Sequence, residues 1–161
     1  MRVLGIDPGV HVGWCVVDMF AKPEWVAHGV IECQPGDELD TANELCEIVA
    51  EHNTALVAIE DYARRFVSPK AAQQMIQAAQ SCGMIRGLLT AWLEPSSGVD
   101  VVAYPANVWR KAIVGNGSAK DAKIEWALRE LHHVTDMPRR TNAHVRDACG
   151  LAIYAGREVD Q

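Results

Sequence analysis

The chain has 161 residues, 15 Lys+Arg against 21 Asp+Glu, a net charge of −6 and 49% hydrophobic residues. That length suits a single domain over 1–161, and the ordinary balance of apolar and charged residues excludes disordered and collagen-like chains. The longest stretch without Asp, Glu, Lys or Arg, 71–85, is rich in Gln and falls short of the ~18 apolar residues of a membrane span. The first residues carry no apolar signal core, so a soluble, cytoplasmic protein is expected. Five cysteines, none in a CxxC pair, read as thiols in a reducing compartment and make a zinc–thiolate site a poor reading.

The acidic balance is unevenly spread. Residues 1–59 carry 2 basic and 10 acidic side chains, whereas residues 61–146 carry 12 basic and 7 acidic. Net charge limits nonspecific sticking, but local patches decide where an anionic partner docks, so nucleic acid is not excluded.

In chain order, 3–6 is a short apolar strand ending at Asp7, followed by Pro-Gly turn chemistry. Strands at 12–17 and 25–31 follow through short connections, which favours an antiparallel meander. The spacing predicts a helix over 38–51 with acids outward, then a buried strand over 55–59 ending at Glu60-Asp61. A long helix is expected from Ser68-Pro69 to about 93, a strand over 99–104, and a short helix over 106–113. After Gly115-Asn116-Gly117, Ser118 is placed to cap a helix over 120–132. The last helix is expected over 143–155. The order βββαβαβααα describes an α/β fold, a mixed sheet with helices on its faces.

Asp7 and Glu60 end two strands. If those strands are parallel neighbours, both carboxylates reach one rim. His144 and Asp147 stand at i and i+3 of the last helix, on one face of its first turn. Carboxylates brought together repel unless a cation holds them, and hard oxygen ligands with one imidazole suit Mg²⁺ or Mn²⁺ better than zinc. Two such ions can activate water and stabilise the leaving oxygen in phosphodiester hydrolysis. Each residue alone has a plain alternative: a turn Asp, a strand-end acid, or a helix-start acid beside a surface His. Asp18 should lie at the far end of its hairpin, and Asp61 should point away from Glu60. His11, His28, His52, His132 and His133 lack carboxylates at ligand spacing, and the five tryptophans read as core.

Gly5-Ile6-Asp7-Pro8-Gly9, Ala58-Ile59-Glu60, Tyr104-Pro105-Ala106-Asn107-Val108, Val114-Gly115-Asn116-Gly117 and His144-Val145-Arg146-Asp147-Ala148 resemble, in order and over nearly the whole chain, RuvC-type Holliday-junction resolvases. The resemblance implies a ribonuclease H-like fold and a homodimer that nicks opposed strands of a four-way DNA junction with Mg²⁺ or Mn²⁺, two ions per site. It makes Asp7, Glu60, His144 and Asp147 the metal-binding and catalytic set. Some members of that family carry Asp at the place of His144. Lys120 or Lys123 corresponds to the family's DNA-contacting lysine, and Tyr62 or Phe66 to its junction wedge. The helix over 70–93 would form part of the dimer interface. A two-fold dimer would also line up Arg64, Arg65, Lys70, Arg110, Lys111, Lys120 and Arg146 as basic tracks for DNA backbones. The alternatives are a less selective flap or branched-DNA nuclease, a junction binder with little cleavage, and a sugar-kinase-like phosphate loop. The last is disfavoured by the chain's length and its want of further glycine-rich motifs.

Overall fold

The computed structural model describes residues 1–61 and 69–159; of residues 69–75 and of residue 96 it describes the backbone alone. The apolar runs become five strands: β1 (Arg2–Asp7), β2 (His11–Asp18), β3 (Glu24–Glu32), β4 (Leu56–Asp61) and β5 (Asp100–Pro105). They form one sheet in the order β3-β2-β1-β4-β5. The meander β1-β2-β3 is antiparallel, while β4 joins β1 and β5 joins β4 in parallel. The helices are α1 (Glu38–His52), α2 (Pro69–Ser97), α3 (Ala106–Val114), α4 (Asp121–Trp126) and α5 (Ala143–Val159). The sequence of elements and the mixed sheet agree with the expected order.

Period-two alternation sorts the central strands between two cores. Val3 of β1 and Leu56 and Ala58 of β4 belong to a core shared with α3, α4 and α5. Leu4, Ile6, Val57 and Ile59 point the other way, into a core shared with α1 and α2. By the same parity, Asp7 and Glu60 fall on the α5 face. Asp61, one residue on, is exposed.

Three expectations need correction. Ser118 does not cap a helix: its N–H and Oγ both donate to Asn116 Oδ1, at 3.0 and 3.2 Å, and close a turn of their own. The helix begins at Asp121 after Lys120, which supplies no side-chain cap, and from Ala127 to Leu131 it widens into a π-helical turn. The long helix α2 runs to Ser97, past Pro95 in its last turn. Trp109 and Trp25 are core residues, but Trp126 is 54% exposed. It lies on the outer side of α4, whose buried residue is Ile124.

Candidate active site

β1 and β4 end side by side. Ile6 is paired with Ile59 in parallel register, so Asp7 and Glu60 emerge next to each other from the carboxyl ends of neighbouring strands. The amino end of α5 then lies across them. That approach depends on two strand glycines. A Cβ at Gly5 would stand 1.9 Å from the Ala148 carbonyl oxygen, and one at Gly13 would stand 2.4 Å from the His144 carbonyl carbon. With hydrogen at both places, the helix backbone sits directly on the sheet and brings His144 and Asp147 to the rim. His144 Nδ1 is 2.6 Å from Asp7 Oδ2.

α3 supplies two side chains that no strand-end argument anticipates. Trp109, fully buried, donates its indole N–H to Glu60 Oε2 at 2.9 Å. Its ring rests on Gly150 of α5, where a Cβ would come within 2.7 Å of the indole. Arg110, beside it, donates from Nη2 to Asp147 Oδ2, and the same nitrogen lies 3.8 Å from Glu60 Oε2. Its guanidinium carbon is 5.1 Å from the Trp109 ring centre. The helical period of α3 puts Ala106, Trp109 and Ile113 on its buried stripe and position 110, four after Ala106, on the same face, but it does not say which acids they meet.

Burial in a partly dry pocket and neighbouring negative charge raise the proton affinity of Glu60 and Asp147. Burial, and then the negative charge of Asp7, lift the Glu60 carboxyl to about 7 against the pull of Trp109 and Arg110. Burial lifts Asp147 to about 6, with Arg110 opposing and Asp7 adding to the rise. The hydrogen bond to Asp7 raises the His144 imidazole. Among the described residues, no three His, Cys, Asp or Glu side chains stand in an arrangement that holds a metal ion as they are. The guanidinium of Arg110 lies between two of the acids. The donors themselves fit a hard divalent cation: carboxylate oxygens that repel one another, with one imidazole at the edge.

The remaining expected site residues divide into three groups. Lys111, Lys120 and Lys123 are exposed on α3 and at the start of α4. Arg110 and Arg146, expected on exposed basic tracks, are instead 18% and 13% exposed and engaged with carboxylates. Arg146 bridges Glu125 at 3.2 Å and Asp121 at 3.4 Å, and so ties α5 to α4. Tyr62, Arg64, Arg65 and Phe66 lie outside the described residues, as does the side chain of Lys70. Asp18 is remote, paired with Arg2 and the amino terminus. His11, expected to lack a carboxylate, has one across the β2-β3 ladder: its Nδ1 is 2.8 Å from Glu32 Oε1, because positions 11 and 32 face each other in register.

The sequence model of the family described as crossover junction endodeoxyribonuclease RuvC matches residues 3–155. Relatives named crossover junction endodeoxyribonuclease RuvC include one from Sorangium cellulosum, 31% identical over 95% of this chain and 83% of the relative. Another, from Rhodopseudomonas palustris, is 34% identical over 95% of this chain and 85% of its own. Among solved structures, Thermus thermophilus RuvC in complex with a Holliday-junction substrate superposes with a TM-score of 0.74 at 23% identity. It covers 99% of this chain and 94% of that one.

Proposed function

Because the chain belongs to the RuvC family of crossover junction endodeoxyribonucleases, we propose that it is a metal-dependent nuclease that resolves four-way DNA junctions by paired symmetric nicks, acting as a homodimer. The observation that carries the reading is the meeting of Asp7, Glu60, His144 and Asp147, from β1, β4 and α5, on one rim of the sheet. Asp7, Glu60 and Asp147 would hold Mg²⁺ or Mn²⁺, two per site, with the imidazole of His144 beside them. Such ions lower the proton affinity of a water and stabilise the leaving oxygen of a phosphodiester.

The chain's own groups do the rest. Asp7 Oδ2 accepts a hydrogen bond from His144 Nδ1, which leaves Nε2 with its lone pair on a ring that is 41% exposed. From there His144 can take the proton of the attacking water. Trp109 fixes the orientation of the Glu60 carboxylate through its indole N–H. Lys111, Lys120 and Lys123 offer exposed charge to phosphates, and binding through them weakens with salt.

Two symmetric nicks need two sites related by a two-fold axis. A face of α2 suits that role: Ile76 and Met84 are each 57% exposed, and a Cβ at Gly83 or Gly87 would meet open space. A second copy covering that face would remove exposed apolar surface from water and allow close helix approach.

The test is cleavage of a labelled mobile four-way junction with Mg²⁺ or Mn²⁺, beside duplex, flap and three-way controls. Paired nicks confined to the four-way junction are the expected result. Comparable cutting of flaps and three-way junctions would reassign the protein to general debranching. Binding without cutting would overturn the catalytic reading.

A further inference from the structure

We propose that Arg110 is a built-in counter-ion that competes with the divalent cation for the site carboxylates, so that the cation binds as the guanidinium withdraws. The proposal rests on the metal-dependent reading above. One nitrogen, Nη2, serves carboxylates from two different elements, Asp147 of α5 and Glu60 of β4. It therefore occupies the space between two of the acids that would hold the cation. A guanidinium offers five donors in a planar fork and pairs best when both edges are satisfied. Here Nε is buried without a hydrogen-bond partner among the described residues, so one edge of the fork is unsatisfied while Nη2 donates to Asp147. In this position the guanidinium carbon also lies over the indole of Trp109, 5.1 Å from the ring centre.

Position, rather than net charge, sets the two occupants in competition, because Arg110 Nη2 takes up the space beside both carboxylates. Asp7, Glu60 and Asp147 supply three acidic groups, and Arg110 already neutralises one of them. A divalent ion entering beside the retained guanidinium would meet like-charge repulsion in a pocket where Glu60 and Asp147 are only 13% and 12% exposed. With Arg110 withdrawn, the acids regain the charge that attracts the ion, and the freed fork is shaped for phosphate oxygens.

Mn²⁺ binding to the intact protein, read by electron paramagnetic resonance at pH 8 without DNA, tests this. Arg110→Gln should bind Mn²⁺ roughly tenfold more tightly than the natural chain, a coupling of the ordinary size between two competing occupants. Arg110→Lys, which keeps the charge, should stay close to the natural affinity. Equal or weaker binding by folded Arg110→Gln would overturn the competition while leaving the metal site intact. Absence of Mn²⁺ binding by every form would overturn the metal reading and this proposal together. A measurement on the unsubstituted protein needs no variant to fold. The Arg110 guanidinium ¹⁵N resonances should be resolved without metal and should collapse through free rotation when Mg²⁺ is added. An unchanged Arg110 signal in the Mg²⁺-bound protein would also overturn the proposal.

Discussion

Gly13 of β2 faces the backbone of His144 so closely that a methyl group there would lie 2.4 Å from the His144 carbonyl carbon and 2.5 Å from its Cβ. The geometry of the site is thus set by an absent side chain on a neighbouring strand as much as by the acids themselves. The same holds one strand over, where Gly5 admits the backbone of Ala148. Both contacts press the first two turns of α5 onto the sheet, and His144 and Asp147 ride on those turns.

Gly13→Ala should therefore separate activity from fold more sharply than a core substitution would. The added methyl meets backbone, which can yield only by lifting the start of α5, at a cost of about 1–3 kcal/mol as for other overpacked sites. Lifting it draws His144 away from Asp7. The expected outcome is a modest drop in the denaturant midpoint with a loss of junction cleavage of roughly a hundredfold. Cleavage kinetics beside chemical denaturation check this, and unchanged cleavage would show that α5 need not lie so close.

Trp109→Phe removes the N–H that holds Glu60 Oε2, together with outer-ring atoms that lie on Gly150. That hydrogen bond favours the ionised carboxylate, so its loss lifts Glu60 further above about 7. The acid limb of the pH–rate profile should move to higher pH, with cleavage at pH 9 close to the natural level and a deep loss at pH 7. A uniform loss at all pH values would instead mark Trp109 as a packing residue only.

The strand-end carboxylates were legible in the sequence because strand alternation and a parallel β1-β4 pair are enough to bring Asp7 and Glu60 together. His144 and Asp147 followed from helical spacing. Trp109 and Arg110 were not legible in the same way. Within α3 their charge and bulk read as a core tryptophan followed by a surface cation. What turns them into site residues is a contact with Gly150 and acids from two distant elements, and no local period carries that information. The exposed basic tracks were overdrawn for a related reason. A list of Arg and Lys residues counts charges without their partners, and Arg146 turns out to be held by Glu125 and Asp121.

The metal-free protein should lose stability as pH rises from 5 to 8. Glu60 and Asp147 both have folded values above their ordinary ones, about 7 and about 6, so each contributes stability while protonated and loses it as pH climbs through the folded value. His144, also raised, acts in the same direction. Together the acids account for on the order of 2 kcal/mol over that range. Thermal melts of the metal-free protein across pH 5 to 8 check the slope. Glu60→Gln should flatten it, and Mg²⁺ should restore stability most at pH 8, by binding the ionised acids. A melting temperature that rises with pH in metal-free buffer would contradict the raised carboxyls.

Asp7→Asn should abolish cleavage and keep junction binding. The substitution removes one of the three negative charges and leaves His144 Nδ1 facing a neutral amide, so both the cation site and the orientation of the imidazole are weakened. None of the exposed lysines on α3 and α4 is touched, and with one fewer negative charge on the rim the DNA backbone should be held at least as well. Lys120→Ala gives the complementary pattern. It leaves the acids in place, should weaken binding several-fold at moderate salt, and should reduce the salt slope by about one unit, as loss of one phosphate contact does. Gel-shift titrations over a series of salt concentrations, run beside cleavage assays, separate the two. Loss of junction binding in Asp7→Asn, or an unaltered salt slope in Lys120→Ala, would contradict these assignments.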